Sequence, residues 1–233
     1  MAPATWEFDE SAHAGLEHLD AEYVAGYDRK AGTDPSEDVQ ALRDAGVNAE
    51  SVVVDLGAGT GTFATAIAPH CGHVIAVDVS APMLEATRER CRVLGVHNVR
   101  CIQAGFLSYE HEGPPAGAVY SRNALHHLPD FWKAVALERI ASFLAPGGVL
   151  RLRDLVYSFE PAEAAAALER WFSGASATSD VGWTRTELEE HVRTEYSPFS
   201  WVLEPMLERC GFEIRATGHA PTQTYAAYTC VRT

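Results

Sequence analysis

Apolar residues recur along this chain with two different periods, and the switches between them outline its elements. Leu16, Leu19, Tyr23 and Tyr27 fall three to four residues apart, as one face of a helix does. Asp34-Pro35-Ser36-Glu37 combines a capping acid, a proline suited to a first helical turn and a capping-box acid. A second helix therefore starts there, runs through Val39 and Leu42 and stops at Gly46. Then the period changes. Residues 51–56 form a short, β-branched apolar run ended by glycines, the pattern of a strand buried on both faces of a parallel sheet. Beyond it the types alternate: helix over about 60–68, strand over 73–77, and helix over 81–94 with Leu84, Thr87, Cys91 and Leu94 on one stripe. Strands over 98–102 and 118–121, a helix over 131–144 and a strand over 149–152 follow, the last after the turn Pro146-Gly147-Gly148. Such alternation implies βαβ crossovers and a parallel sheet covered by helices.

From 157 to 197 the pattern is helical again but more polar. An alanine-rich helix spans 161–172, and Thr184-Arg185-Thr186-Glu187 is a capping box opening another. Leu203, Met206, Leu207 and Cys210 make an i, i+3, i+4, i+7 stripe, in which Pro205 predicts a kink or a late start. Two alternating runs, 212–217 and 224–231, read as strands forming an antiparallel end to the sheet.

Composition narrows the possible partners. The 233 residues correspond to between one and two domains, and 47% hydrophobic with 21% charged residues excludes a disordered chain. Eighteen basic against 32 acidic side chains leave a net charge of −14, which repels phosphate backbones and anionic lipid. The densest basic stretch, Arg88, Arg90 and Arg92, is interleaved with Glu85 and Glu89, so neither a nucleic-acid nor a membrane partner is expected. Five scattered cysteines without a C-x-x-C pair suggest reduced thiols. The first ten residues lack a basic region followed by an apolar one, and no apolar run approaches the ~18–20 residues of a membrane span. A cytoplasmic location is the expectation.

The candidate chemistry begins at Asp55-Leu56-Gly57-Ala58-Gly59-Thr60-Gly61, which joins the first strand to its helix. Glycines there let a backbone approach a ligand at the carboxyl edge of the sheet. The loop is not a dinucleotide fingerprint, because Thr62 stands where the third glycine would be, nor a Walker A loop, since no Gly-Lys-Ser/Thr follows. Asp55 ends the first strand, where a buried carboxylate needs a donor or a cation; capping of nearby amides is the alternative. Asp78 ends the second strand, from which a carboxylate can accept both hydroxyls of a ribose; an ordinary helix-leading acid is the alternative there.

Val52-Val53-Val54-Asp55-Leu56-Gly57-Ala58-Gly59-Thr60-Gly61, followed by Ala76-Val77-Asp78-Val79-Ser80-Ala81-Pro82-Met83, resembles the class I S-adenosylmethionine-dependent methyltransferases. Asn123-Ala124-Leu125-His126-His127 and Leu144-Ala145-Pro146-Gly147-Gly148 are similar to that family's later segments. The resemblance spans roughly 51–156. It implies an α/β, Rossmann-like fold: a mostly parallel seven-stranded sheet with an antiparallel last strand, and helices on both faces. The cofactor implied is S-adenosyl-L-methionine, leaving as S-adenosyl-L-homocysteine. Gly57, Gly59 and Gly61 would wrap its methionine portion, Asp78 would hold its ribose hydroxyls, Met83 and Phe106 would lie at its adenine, and Asp55, Ala58, Val79, Gly105 and Asn123 would complete the cofactor site. One departure stands out. Many members carry an acid in the loop after the third strand, whereas this chain reads Ala104-Gly105-Phe106, so a backbone or stacking contact is expected to replace the acid there.

Chemistry on a sulfonium methyl mainly requires an acceptor held in line, and a base only where the acceptor is protonated. His126 is the first candidate for acid–base work, with a structural histidine as the alternative; His127 reads as structural. Two adjacent histidines diverge, so no metal is expected. Tyr27 and Lys30, on an N-terminal helix of the kind the family uses as a lid, are candidate pocket residues or a solvated helix end. Trp183, Tyr196, Phe199 and Trp201 either line an acceptor pocket or pack in the core. The expected organisation is a helical lid over 1–50, an α/β core over 51–156, a helical cover over 157–197 and closing elements over 198–233. The expected acceptor is a small molecule methylated at O, N or S by a monomer or homodimer; the chain lacks the Asp/Asn-Pro-Pro-Tyr motif of nucleic-acid amino-methylating enzymes. Other chemistry on the sulfonium, or a silent cofactor-binding subunit, are the competing functions.

Overall fold

Val52–Leu56 forms β1, and its alternate side chains leave on opposite faces of the sheet. Val53 packs with Val39, Leu42, Phe63 and Ile67 on one side. Val54 and Leu56 pack with Leu137, Ile140, Leu203 and Leu207 on the other. Both faces are thus covered, which is why the run carries no polar alternation. The computed structural model describes residues 6–233.

After β1 come α3 (Thr62–Ile67), β2 (His73–Asp78), α4 (Ala81–Leu94), β3 (Val99–Gln103) and β4 (Ala116–Arg122). Then follow α5 (Asp130–Phe143), β5 (Leu144–Leu155), α6 (Ala164–Phe172), α7 (Arg185–Thr194), α8 (Ser200–Arg209), β6 (Phe212–His219) and β7 (Tyr225–Arg232). Two helices, α1 (Ala21–Ala31) and α2 (Ser36–Asp44), precede β1. The sheet has seven strands in the order β3-β2-β1-β4-β5-β7-β6, and β7 runs antiparallel to both its neighbours while the rest are parallel, as expected. Strand order reverses between β1 and β4, and the crevice beyond their carboxyl ends is where open α/β sheets bind ligands.

Three expectations are corrected. The N-terminal stripe is not one helix: Leu16–Leu19 is a 3-10 turn, and the Asp20 carboxylate accepts the Glu22 and Tyr23 amides, starting α1 afresh. Helix α2 belongs to the core and not to a lid over 1–50. Its Val39 and Leu42 sit in the cluster under β1, and its fully buried Asp38 accepts from Arg151 Nε at 2.8 Å and the Tyr120 hydroxyl at 3.0 Å. Pro205 neither delays nor ends α8, which begins at Ser200; the backbone carbonyl it leaves without an N–H is that of Trp201, an exposed residue. Helices α6 and α7 form a separate cover with a small apolar cluster of their own around Leu155, Trp171 and Leu188. Among the described residues no helix is long and apolar enough to cross a membrane.

Candidate active site

The loop after β1 takes a path open to glycine. Gly57, Gly59 and Gly61 have φ of +75°, +54° and +75°. A Cβ on Gly57 would stand 2.4 Å from the Ala124 methyl, whereas one on Gly59 would meet nothing within 4 Å. The N–H groups of Gly57 and Ala58 both donate to the Val77 carbonyl, at 2.9 and 3.0 Å, and the Thr87 hydroxyl donates to the Gly59 carbonyl at 2.8 Å. Strand β2 and helix α4 thus hold the loop open beside free space.

Asp78 closes the arrangement. One carboxylate oxygen accepts the Gly59 amide and the other the Ser80 amide, each at 2.8 Å. Burial raises its pKa against the pull of these amides. Each oxygen keeps a lone pair, and Asp78 lines the cleft together with Gly57, Gly59, Val79, Met83, Gly105, Phe106 and Asn123. Eight of the eleven residues expected at the cofactor are therefore brought together. Asn123 adopts φ +50°, a left-handed conformation that asparagine tolerates, at the end of β4. Asp55, Ala58 and Gly61 do not line the cleft. Asp55 lies buried beneath the loop, one oxygen without a partner, and burial followed by the nearby Asp78 charge raises its pKa well above the usual range, favouring the protonated carboxyl.

Free space in the cleft is only about 100 Å³, small beside the ~300–1,000 Å³ usual for ligand pockets. The reason is the N-terminal segment, whose Phe8, Glu10, His18 and Tyr27 share the lining. Glu10 supplies the acid missing from the loop after β3. Its carboxylate accepts the Leu107 amide at 3.0 Å and lies over Gly105, where a Cβ would come within 2.4 Å of it. Sequence spacing gave no sign of this contact across 97 positions.

A second, larger chamber of about 580 Å³ adjoins the first, and both are lined by His18, Tyr27, Asn123 and His127. Its other walls come from the cover: Trp183, Glu187, His191, Glu195 and Tyr196, with Tyr225 from β7. Of the aromatics expected there, Phe199 instead packs with Tyr157, and Trp201 is exposed. Lys30 is also displaced from its expected place. Its ammonium donates to Glu187 at 2.5 Å and lies 4.3 Å from the centre of the Trp183 ring, pinning α1 to the cover.

The two adjacent histidines sit in different surroundings, and those of His126 favour its structural alternative. His126 is buried with Nδ1 on Asp154 and Nε2 2.8 Å from Glu195. Burial opposes its charge, but the two carboxylates outweigh it and push the pKa up to about 9, so neither nitrogen is free to take a proton. His127 is pushed down to about 3 by burial and by the neighbouring His126, and stands neutral on the wall between the cavities. Tyr27, pushed up to about 12 by burial and by Asp78, is a phenol donor. His18 was missed altogether. Its Nδ1 lies 2.7 Å from the Ala14 carbonyl, a bond that requires a proton on Nδ1, and its Nε2 is buried without a hydrogen-bond partner.

Residues 53–148 match the family model described as a methyltransferase domain. An uncharacterized methyltransferase of Mycobacterium tuberculosis is 34% identical over 104 residues, 45% of this chain and 50% of that protein. The chain thus spans about half the length of this curated relative. Among solved structures, magnesium protoporphyrin IX methyltransferase from Synechocystis, with bound S-adenosylhomocysteine, superposes with a TM-score of 0.68 at 17% identity, covering 97% of this chain and 100% of that one. The cyclase SpnF gives 0.64 at 15% identity, covering 84% and 80%. At such identities the superpositions establish the fold.

Proposed function

Residues 53–148 form a domain of the class I S-adenosylmethionine-dependent methyltransferases, and from that premise we propose that the chain moves the cofactor's methyl group to an O, N or S atom of a small molecule held in the second chamber. The observation that carries this is the shared wall. A cofactor cleft and a separate chamber meet at His18, Tyr27, Asn123 and His127, so a donor and an acceptor can face one another there.

The cleft residues fit S-adenosylmethionine. Asp78 keeps acceptor lone pairs for a pair of ribose hydroxyls, Met83 and Phe106 offer an apolar seat for a flat ring, and the bare backbone at Gly59 borders open space. Glu10 would take the adenine amino group in place of the absent loop acid. When bound, the cofactor supplies an electrophilic methyl, and what remains for the protein is orientation, worth about 7–11 kcal/mol in favourable cases. The N-terminal segment must move outward to admit it and then shields the site from water. Tyr27 donates a hydrogen bond toward the acceptor, and His18 Nε2 accepts the acceptor's proton where there is one. His126 and Lys30, expected as catalytic, hold the wall and the cover in place.

Incubation with isotopically labelled S-adenosylmethionine and a metabolite extract, read by mass spectrometry, tests the proposal. Label in a small molecule together with S-adenosylhomocysteine is the expected result. Methylthioadenosine in its place would assign the chemistry to the sulfonium itself, and failure of both cofactor forms to bind below millimolar concentration would remove the reading. His18→Ala should lower turnover by roughly 10²–10⁴ for a protonated acceptor, with a much smaller change in cofactor affinity.

A further inference from the structure

At one end of the second chamber stands a set of side chains that methyl transfer does not need. His126 and His127 lie in the turn after β4, while His191 and Glu195 come from the end of α7, four residues apart and so on one side of the helix. Three imidazole nitrogens surround one carboxylate oxygen. Glu195 Oε2 is 2.8 Å from His126 Nε2, 3.0 Å from His191 Nδ1 and 3.5 Å from His127 Nδ1. That oxygen is fully buried, yet none of the three approaches has hydrogen-bond alignment. One ligand atom each from His126, His127 and Glu195 lie within 4.8 Å of one another, close enough to converge on one ion, whereas His191 meets the group through Glu195 alone.

The outer nitrogens of two rings are already fixed. Asp154 holds His126 Nδ1 with one oxygen and accepts the His126 amide with the other at 3.0 Å, and the Ser197 hydroxyl lies 2.8 Å from His191 Nε2. Asp154 fixes a proton on His126 Nδ1, as happens behind metal-ligating histidines, and an ion entering between His126 and Glu195 displaces the proton on Nε2 as it binds. The donor set is two nitrogens and one oxygen, which suits zinc and its transition-metal neighbours, with a coordination position left to the chamber, and not magnesium or calcium.

We propose that His126, His127 and Glu195 bind a divalent transition-metal ion of the zinc class in the wall of the second chamber, with His191 holding the Glu195 carboxylate. All four residues line that chamber, so the ion is reached by a donor atom of whatever occupies it. On the reading of this chamber as the acceptor site, the preferred acceptors then carry a metal-binding oxygen or sulfur, whose pKa the ion lowers. The expectation that adjacent histidines diverge and hold no metal is answered by Glu195, which arrives from another element and faces both rings.

The full-length protein, stripped with a chelator, is titrated with Co²⁺ and separately with Zn²⁺ by calorimetry, with visible absorption followed for Co²⁺. One ion per chain at micromolar affinity or tighter is expected, with the absorption of a four- or five-coordinate site. His191→Ala and Glu195→Gln should each weaken binding at least roughly 10–100-fold, and Asp154→Asn by a similar factor through His126. Affinity for S-adenosylhomocysteine, measured on the same samples, should stay at the unsubstituted value, which shows that the variants fold and separates this result from any failure of the methyl-transfer reading. Absence of stoichiometric Co²⁺ binding by the unsubstituted protein would overturn the site and leave a cluster held by protons alone. So would Co²⁺ binding that survives in both the His191 and Glu195 variants, since it would then reside on other histidines.

Discussion

The Asp78 carboxylate accepts the Gly59 amide at 2.8 Å, so the acid ending one strand fixes the loop that follows its neighbour. Loop shape and, on the proposed reading, ribose recognition therefore depend on one side chain. Asp78→Ala removes acceptors for two ligand hydroxyls and loosens the loop, a loss of about 2–4 kcal/mol, the scale of one to two charge-assisted bonds. The dissociation constant for S-adenosylhomocysteine should rise roughly 30- to 1,000-fold. An unchanged constant in calorimetric titration would overturn the placement of the ribose.

Gly57 and Gly59 share positive φ but differ in what surrounds them, and the difference separates folding from binding. Gly57→Ala drives a methyl to 2.4 Å from the Ala124 side chain, so it should cost about 1–3 kcal/mol of stability as well as cofactor affinity. Gly59→Ala meets no protein atom and projects beside the cleft; it should cost about 1 kcal/mol in stability and most of the affinity. Thermal melts and cofactor titrations on the two variants decide. Equal losses of melting temperature would show that the Ala124 contact has no consequence.

Asp38 is fully buried and serves Arg151, Tyr120 and Arg153, the last at 3.2 Å. Removing one partner from a buried ionic network leaves uncompensated charge and typically costs about 3–5 kcal/mol. Asp38→Ala should show that loss in urea denaturation and leave cofactor affinity of the folded fraction near normal. A loss below about 1 kcal/mol would mean that the arginines find water instead.

The sheet and the glycine loop were legible because their signals are local. Apolar period, β-branched runs and glycine spacing are written in consecutive residues, and β1 to β4 follow them closely, whereas β5 runs over Leu144–Leu155, through the turn expected at 146–148. What escaped was pairing across the chain. The stripe of α2 does not reveal that Asp38 answers Arg151, 113 positions away, and so does not reveal that α2 belongs to the core. Glu10 over Gly105 is equally silent in sequence. The difference between the two histidines is silent for the same reason: Asp154 and Glu195, whose charges hold the proton on His126, arrive from other elements, and His127 stands neutral through burial and the His126 charge. One local signal was available but unused, the four-residue spacing of His191 and Glu195.

Asp55 yields a prediction with a definite sign. Burial and the Asp78 charge raise its folded pKa well above the 3.8 of an ordinary aspartate, so the folded chain holds a proton that the unfolded chain releases. Stability from this group is fully present below the unfolded pKa. It falls as pH rises from about 4 toward the folded pKa, with a limiting slope near 1.4 kcal/mol per pH unit, and is constant beyond it. Asp55→Asn keeps the shape and an acceptor for the Ala64 amide but cannot ionise. The variant should match the unsubstituted protein in strongly acid solution and become the more stable of the two toward neutral pH. Subtracting the two stability curves, each from denaturant titrations across that range, isolates Asp55 from the other 31 acids. Parallel curves would show that the Asp55 carboxyl is solvated or paired in the native state.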